Sequence, residues 1–251
     1  MLLVFGNLLH TNLIAQPKKY TFANTHAHND YMHDLPFYTA FNAGFGSIEA
    51  DVYPVNDTLF VAHNKRDIRP GRTLQKLYIL PLLRELGRDS SRHVKLLVDV
   101  KENYNKCLDI LLKELLPLKK FLLGSTKIDN QLIILISGDR PPPSEYKNYP
   151  GFIFFDDDLK LKHNAGEWSR VGQVSLSLQN YTSWKGDTVM NKNDSEIVQK
   201  VIDSVHMAGK TIRFWAAPDT KLSWKTQMNL GVDLIGTDKI KELAAFIKEQ
   251  E

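Results

Sequence analysis

The stretch GSIEADVYPVNDTLFVAH, residues 46–63, combines a strand pattern with a pair of carboxylates. Side chains two positions apart on a strand point to the same side, so Glu49 and Asp51 are expected to project together. Two carboxylates at that distance repel each other, and burial raises at least one of their pKa values unless a cation compensates. A short hairpin then returns the chain to His63. The stretch therefore predicts a strand that carries an acidic site.

Strand-like runs alternate with helix-length amphipathic segments on either side of this stretch. The predicted strands are residues 20–28, 46–53, 95–101, 132–137, 152–155, 174–178, 211–216 and 234–237. The predicted helices are residues 73–88, 103–122, 194–208 and 239–250, with Asp194 expected to cap the third and Gly209 to end it. Eight strands that alternate with helices predict a single (β/α)8 TIM barrel. A doubly wound open sheet is the alternative, but no glycine-rich dinucleotide fingerprint follows the first strand.

Composition excludes several classes of protein. The chain has 251 residues and a formal net charge of only +3, without long basic runs, so no nucleic-acid partner is expected. Its single cysteine, Cys107, lies among apolar residues and allows neither a disulfide framework nor a thiolate zinc site. We expect it to be buried filler.

The N-terminus resembles an export signal. Its apolar run ends at Ala15, just before Lys18 and Lys19, but lacks a basic start, which indicates a truncated signal or a misassigned start. The alternative is an ordinary apolar first strand. The export interpretation predicts a leader over residues 1–19, a folded domain over residues 20–251, and a periplasmic, surface or extracellular location. The apolar run is too short to span a bilayer, so no stable membrane insertion is expected.

Acidic and polar side chains lie at the predicted C-terminal strand ends, where barrel enzymes carry their active sites. Asp99 adds a third carboxylate to Glu49 and Asp51, and the amide oxygen of Asn29 offers a fourth ligand. Oxygen ligands favour one divalent cation, Mg²⁺ or Ca²⁺, over zinc. Two histidines near such a cation indicate acid–base work at a phosphate ester, with Lys101 or Arg69 sharing the phosphate charge.

The motifs THAHNDY, AFNAGFGSIEADV and LFVAHN together resemble the opening of the phosphatidylinositol-specific phospholipase C and glycerophosphodiester phosphodiesterase superfamily. The resemblance continues through LLVDVK and FWAAPD to GVDLIGTDKI, and so covers about residues 22–243. The motifs HNDY and EADV are most similar to those of a poorly characterised bacterial and fungal branch of this superfamily. The resemblance implies a barrel with phosphodiesterase activity on a small phosphodiester or a phospholipid headgroup.

Position by position, the resemblance implies that His28 and His63 are the catalytic acid–base pair. It implies metal binding by Glu49, Asp51 and Asp99. Asn29 matches the phospholipase C pattern, in which this residue is a metal ligand, whereas the diesterases place an arginine there to hold phosphate. Asp99 stands where both groups commonly have a glutamate. With these two differences the resemblance still implies an oxygen-bound divalent cation. It does not specify the substrate.

The favoured hypothesis is a metal-dependent phosphodiester hydrolase for glycerophosphodiesters or phosphoinositide-type lipids, with a cyclic phosphate intermediate as one route. The rival is an inactive barrel that binds a phosphorylated ligand or a surface partner. A metal-free chemistry, in which a cationic side chain replaces the ion, is a third reading. Oligomeric state is not readable from the sequence.

Four further positions have two interpretations each. His26 is expected to have a packing or hydrogen-bonding role, with a supporting role beside His28 as the alternative. Trp215 is expected either to line the substrate pocket or to fill the core. Residues 156–158 are expected to form an acidic turn rather than a calcium loop. Asp238 is expected to anchor the last loop or to hydrogen-bond to the site rather than to ligate the metal.

Overall fold

The computed structural model describes residues 17, 19–123 and 131–250. Eight parallel strands form a nearly closed barrel with helices between them. These strands are β1 (Thr25–Ala27), β2 (Ser47–Val55), β4 (Val94–Val100), β5 (Leu132–Gly138), β6 (Ile153–Asp157), β7 (Val171–Ser177), β8 (Ile212–Trp215) and β9 (Ile235–Thr237), and β3 (Thr58–Val61) pairs antiparallel with β2. A single bridge between Arg213 and Leu234 joins the two ends of the sheet. The predicted (β/α)8 barrel is confirmed, and the open-sheet alternative is wrong.

Seven helices surround the described strands. They are α1 (Tyr38–Asn42), α2 (Leu80–Leu86), α3 (Tyr104–Glu114), α4 (Ala165–Ser169), α5 (Lys192–Met207), α6 (Lys221–Leu230) and α7 (Ile240–Lys248). The four predicted helices correspond to α2, α3, α5 and α7. In the part of the chain that the structure describes, no helix has the length and apolar character needed to cross a membrane. The predicted leader, residues 1–19, lies outside the described residues except for residues 17 and 19.

Prolines and caps explain where the observed boundaries differ from the predicted ones. The helix predicted over residues 103–122 ends at Glu114 and continues as a 3-10 turn, because Pro117 cannot extend an α-helix. A wider π-helical turn, Gln75–Ile79, precedes Pro81 in α2. The predicted capping by Asp194 is wrong: the side chain of Asn191 caps α5 by accepting from the Asp194 amide at 2.9 Å. Gly209 follows the end of α5 with φ of +71°, as predicted.

The apolar core lies between the barrel and its helices. Alternate residues of β2, such as Ile48, Ala50 and Val52, are buried in one cluster with the helix side chains, and Cys107 of α3 belongs to the same cluster. The intervening residues of β2 face the barrel interior, since strand side chains alternate between the two faces. The interior positions of β2 are therefore polar, which gives the barrel a charged centre under its mouth.

The β2–β3 hairpin returns His63 to the mouth of the barrel. Asp51 lies opposite Asp99 in the parallel pairing of β2 with β4, and β2 then extends to pair with β3. The amide of Ala62 donates to the carbonyl of Asp51 at 3.2 Å, so the residue that follows, His63, is held beside that aspartate. The hairpin thus places His63, which follows β3, next to a carboxylate of β2.

Candidate active site

A cavity of about 470 Å³ opens at the C-terminal ends of the strands. Six of the residues predicted from the sequence line it together, namely His28, Glu49, His63, Asp99, Lys101 and Trp215. Asp51 lies beside this cavity, where it contacts both Lys101 and His63. The structure therefore brings the predicted acids and both predicted histidines to one place.

Glu49 is held in a buried charge network beneath the cavity. The His26 ring bonds through Nε2 to Glu49 Oε2 at 2.8 Å and through Nδ1 to Ser47 at 2.8 Å. Arg213 NH1 contacts His26 and donates to Glu49 Oε2 at 3.0 Å. Burial opposes ionisation of Glu49, but the hydrogen bond from His26 and the Arg213 charge outweigh it and hold the pKa of Glu49 well below its usual range. The hydrogen-bonding role predicted for His26 is confirmed.

In His26, unlike Glu49, the effect of burial prevails and disfavours the charged form of the side chain. Burial, together with the nearby Arg213 charge, lowers the pKa of His26 to about 3. This imidazole is therefore neutral at physiological pH and acts as a fixed hydrogen-bonding bridge. His28 and His63, at the mouth of the cavity, are more exposed than His26.

His28 is oriented by a carboxylate at the end of β9. Its Nδ1 lies 2.9 Å from Asp238 Oδ1, and the Asn29 amide nitrogen donates to the same oxygen at 3.2 Å. Burial disfavours the imidazolium, but the Asp238 hydrogen bond and the charge of Glu49 outweigh it and raise the pKa of His28. Asn29 adopts a left-handed backbone, φ of +49°, which asparagine tolerates and which turns the chain back over the site. Asp238 therefore bonds to the site, as predicted.

Tyr31 is a site residue that sequence reasoning missed. Its hydroxyl lies 2.6 Å from Asn29 Oδ1, 2.7 Å from Asp51 Oδ2 and 3.2 Å from His63 Nδ1. Burial and the charge of Asp51 raise its pKa, so the phenol remains protonated. One hydroxyl thus links the first strand, the second strand and the hairpin. The only sequence signal is its place two residues after Asn29 in the HNDY motif.

An ammonium group lies between two of the predicted metal ligands. Lys101 Nζ is 2.7 Å from Asp51 Oδ2 and also donates to Asp99 Oδ2, and Asp99 Oδ1 accepts from Ser137 at 2.6 Å. Gly138 closes this side of the site: a Cβ at that position would lie 2.3 Å from the Val100 carbonyl oxygen. Burial and the charge of Glu49 raise the pKa of Asp51, against the opposing effect of Lys101.

The donor set fits an oxygen-preferring cation. Asp51 Oδ1 is buried without a hydrogen-bond partner, and such an atom is costly unless something bonds to it. Asp99 lies opposite Asp51 on the neighbouring strand, and Glu49 lies two positions before it on β2. Among the described residues, no three His, Cys, Asp or Glu side chains are already grouped closely enough to hold a metal ion. A cation at Asp51 and Asp99 would therefore compete with the Lys101 ammonium.

Two of the predicted substrate-binding residues lie in different surroundings. Trp215 is half exposed at the cavity rim, which excludes the core-filling alternative. Arg69 does not line the 470 Å³ cavity. It lines a neighbouring cavity of about 640 Å³ with Asn29, Tyr31 and His63, and its NH1 donates to the carbonyls of Arg66 and Ile68. The structure thus separates Arg69 from Lys101.

Asp156 is a second missed residue, and here the prediction of an acidic turn is wrong. Asp156 and Asp157 are buried residues at the end of β6 rather than turn residues. Asp156 lines the same 470 Å³ cavity as His28 and His63, and its Oδ1 has no hydrogen-bond partner. Burial raises its pKa to about 6, against the opposing charge of Arg213. The carboxyl group is thus close to half protonated at mildly acidic pH.

We expect Asp156→Asn to stabilise the fold in a pH-dependent way. The native state binds the Asp156 proton more tightly than the unfolded state, so the penalty grows as pH rises from about 4 to about 6 and is fully present above that window. A difference of roughly 2 pKa units corresponds to about 3 kcal/mol, so the variant should gain up to about 3 kcal/mol at pH 7.5 relative to its difference at pH 4. Urea unfolding at both pH values measures it.

Asp158→Asn is the matched control for that experiment. Asp158 lies two residues away and is paired with Arg140 at 3.1 Å and Lys160 at 2.8 Å. Burial opposes its ionisation, but these partners outweigh it and lower its pKa, so its charge stabilises the native state above its unfolded pKa. Its loss should destabilise the protein at pH 7.5, and equal pH profiles for the two variants would contradict the assignment.

Comparison with known proteins gives a consistent family. Residues 18–92 match the model of the AIM6-like phosphodiesterase domain. The altered inheritance of mitochondria protein 6 homolog of Arthroderma benhamiae is 30% identical in an alignment of length 260, which spans 88% of this chain and 82% of that protein. Altered inheritance of mitochondria protein 6 of Kluyveromyces lactis is 27% identical in an alignment of length 301, gaps included, which spans 89% of this chain and 72% of that protein.

Solved structures agree on the fold. A glycerophosphodiester phosphodiesterase from Parabacteroides distasonis has a TM-score of 0.56 at 14% identity and covers 90% of this chain and 97% of its own. A calcium-dependent phosphoinositol-specific phospholipase C from Pseudomonas sp. has a TM-score of 0.57 at 10% identity, with 92% and 93% covered. At these identities the likeness shows the barrel alone. The 30% identity over most of both chains shows that this chain belongs to the altered inheritance of mitochondria protein 6 family.

Proposed function

We propose that this protein is a metal-dependent phosphodiesterase that cleaves glycerophosphodiesters or phosphoinositide-type diesters. The observation that carries the proposal is the arrangement of two histidines around one acidic cavity, each bonded to its own carboxylate. His28 Nδ1 lies 2.9 Å from Asp238, and His63 Nδ1 lies 3.2 Å from Asp51. A binding module has no need of two oriented imidazoles, whereas hydrolysis of a diester needs two proton transfers.

The two histidines are suited to proton transfer at their outer nitrogens. The hydrogen bonds of His63 to Asp51 and Tyr31 both use Nδ1, which leaves Nε2 to exchange a proton with substrate. His28 is held in the same way by Asp238. One imidazole takes the proton of the attacking hydroxyl as its oxygen bonds to phosphorus, and the other gives a proton to the oxygen that departs. The attacking hydroxyl belongs to water or to a neighbouring carbon of the substrate.

Glu49, Asp51 and Asp99 would hold the divalent cation, Mg²⁺ or Ca²⁺, with Asn29 as a further oxygen ligand. When bound, such an ion stabilises negative charge on the phosphoryl oxygens. Asn29 Oδ1 and Asp51 Oδ2 both lie within hydrogen-bond distance of the Tyr31 hydroxyl, at 2.6 and 2.7 Å, and share its single proton. Lys101, whose pKa is raised by the charges of Asp99 and Asp51 despite burial, keeps its proton and adds a positive charge near the phosphate.

A second version of this chemistry needs no metal. It is favoured by one observation, the Lys101 ammonium between Asp51 and Asp99. In this version Lys101 and Arg213 supply the positive charge that the ion would supply. The two versions make opposite predictions for a chelator, so one experiment distinguishes them.

We expect metal-dependent turnover of a panel of diesters: glycerophosphocholine, glycerophosphoinositol, phosphatidylinositol and bis(p-nitrophenyl) phosphate. The protein is stripped with EDTA, assayed, and assayed again with added Mg²⁺ or Ca²⁺, with products identified by ³¹P NMR. A phosphomonoester product indicates direct hydrolysis, and a cyclic phosphate indicates attack by a substrate hydroxyl. A His28→Ala/His63→Ala protein prepared in parallel controls for contaminating enzymes.

Each other outcome has a defined meaning. Full activity in EDTA supports the metal-free version. No turnover across the panel, with Mg²⁺ or Ca²⁺ binding detected by calorimetry, contradicts the enzyme proposal and favours a barrel that binds a phosphorylated ligand.

A further inference from the structure

A small cavity of about 100 Å³ lies between β8 and β9, beside the 470 Å³ cavity. Phe214 and Trp215 of β8 line one side of it, and Gly236 of β9 lines the other. His28, Arg213 and Trp215 line both cavities, so the small cavity adjoins the larger one beside His28. We name the small cavity the β8–β9 slot.

The slot lies where the pairing of β8 with β9 ends. A single bridge joins Arg213 to Leu234, and two residues further along each strand, among the described residues, Trp215 and Gly236 form no bridge. Ala216 follows with φ of +51°, a left-handed conformation that strands do not adopt, so β8 ends at Trp215. The two strand edges therefore separate at the level of the slot.

Neither the backbone nor the packing requires a glycine at position 236. The φ of Gly236 lies outside the left-handed region, and a Cβ there would lie 3.8 Å from both His26 Cδ2 and the Phe214 carbonyl oxygen, which is ordinary van der Waals contact. A glycine inside a strand weakens the strand and often marks the close approach of another group. Since no described residue makes that approach, the space beside Gly236 is available to a ligand.

The size and the polar groups of the slot favour water as its occupant. A volume of about 100 Å³ holds roughly three water molecules. Arg213 is only 6% exposed, and its hydrogen bonds use Nε and NH1, so that NH2 has no partner in the described part of the chain. The hydrogen bonds of the Asp238 carboxylate use Oδ1, which leaves Oδ2 to accept another. A guanidinium donor and a carboxylate acceptor are the kind of partners that hold an ordered water.

We infer that the β8–β9 slot holds the water that attacks the phosphorus atom, so that the diester is hydrolysed directly. This inference rests on the proposed function and names its nucleophile. His28 Nδ1 is bonded to Asp238, so His28 Nε2 takes a proton from the water as its oxygen bonds to phosphorus. The bond from phosphorus to the departing oxygen breaks. His63, which lines the 470 Å³ cavity but not the slot, gives that oxygen a proton.

The test compares two substrates that release the same p-nitrophenolate. Bis(p-nitrophenyl) phosphate has no hydroxyl next to its phosphate, so only water attacks it. 2-Hydroxypropyl p-nitrophenyl phosphate has such a hydroxyl, which competes with water and forms a cyclic phosphate. Gly236→Ala places a methyl group in the slot and should lower kcat/KM for the first substrate at least tenfold. With the second, ³¹P NMR should show mainly the monoester from the wild type and mainly the cyclic phosphate from the variant.

Gly151→Ala is the matched control, because a Cβ at that position would meet no heavy atom within 4 Å. It should leave the rates and the products unchanged. The product ratio does not depend on the fraction of folded protein, so it distinguishes a filled slot from a loss of stability.

Two results would overturn the inference while leaving the proposed function in place. One is wild-type turnover that Gly236→Ala alters neither in rate nor in product. The other is a cyclic phosphate as the main product of the wild type. Turnover of neither substrate by the wild type would contradict the proposed function itself, and the inference with it.

Discussion

Replacing His63 with alanine is expected to lower kcat/KM by about 10²–10⁴-fold, the range typical of general acid–base catalysis. His63 lies at the cavity mouth with its Nδ1 bonded to Asp51 and Tyr31, and its loss would remove one of the two imidazoles proposed to transfer protons. Its side chain is largely exposed, and the fold should be nearly unaffected. Steady-state hydrolysis of bis(p-nitrophenyl) phosphate, with urea unfolding of the same samples, measures both effects.

The histidine pair should also behave as a unit. His28→Ala is expected to cause a loss similar to that of His63→Ala, and the double variant should be little worse than either single one, because groups that act in one step are not additive. His93→Ala is the control, since His93 is an exposed histidine that precedes β4 at the opposite end of the barrel. Additive losses in the double variant, or near-normal activity in either single one, would contradict the proposed roles.

The largest effect on stability is expected from Glu49→Gln. Glu49 and Arg213 are both buried, 3.0 Å apart, and removal of the carboxylate charge leaves a buried guanidinium without its partner. Breaking a buried ion pair in this way typically costs 3–5 kcal/mol, so the free energy of unfolding should fall by about that amount. Urea unfolding at neutral pH measures the loss.

Asp238→Asn is the matched control for that loss. Asp238 also pairs with a histidine, but it is largely exposed, and exposed pairs contribute about 0–1 kcal/mol. The double variant Glu49→Gln/Arg213→Met should recover part of the loss, because it removes the unpaired charge as well. Equal stabilities of the Glu49→Gln and wild-type proteins would show that the network is not a source of stability.

The strands were predictable because parallel barrel strands are buried on both faces and so form short apolar runs. Three helices were not predicted. In α6 the buried residues include Ser223 and Gln227 beside Trp224, so the face that packs inward carries no apolar periodicity. Helices α1 and α4 have only five residues each, too few for a period of 3.6 to be recognised.

The site was predictable where its chemistry follows local spacing. Glu49 and Asp51 share a face because they are two positions apart, and the hairpin brings His63 back to the same strand. Arg213 pairs with Glu49 although the two residues are 164 positions apart in the sequence, and no local sequence pattern predicts such a pairing. The burial of Asp156 depends on β5 and β7, its neighbours in the barrel, which sequence periodicity does not specify.

The bridge that closes the barrel couples the seam between β8 and β9 to the charge network beneath the cavity. Arg213 belongs both to that bridge, with Leu234, and to the charge pair with Glu49. A fluctuation that separates β8 from β9 therefore withdraws the compensating charge from the site at the same moment. Local opening has a smaller free energy than global unfolding where few bonds join two strands. We therefore expect this seam to open, and the Glu49–Arg213 pair to break, at temperatures where the remaining strands and their helices are still folded.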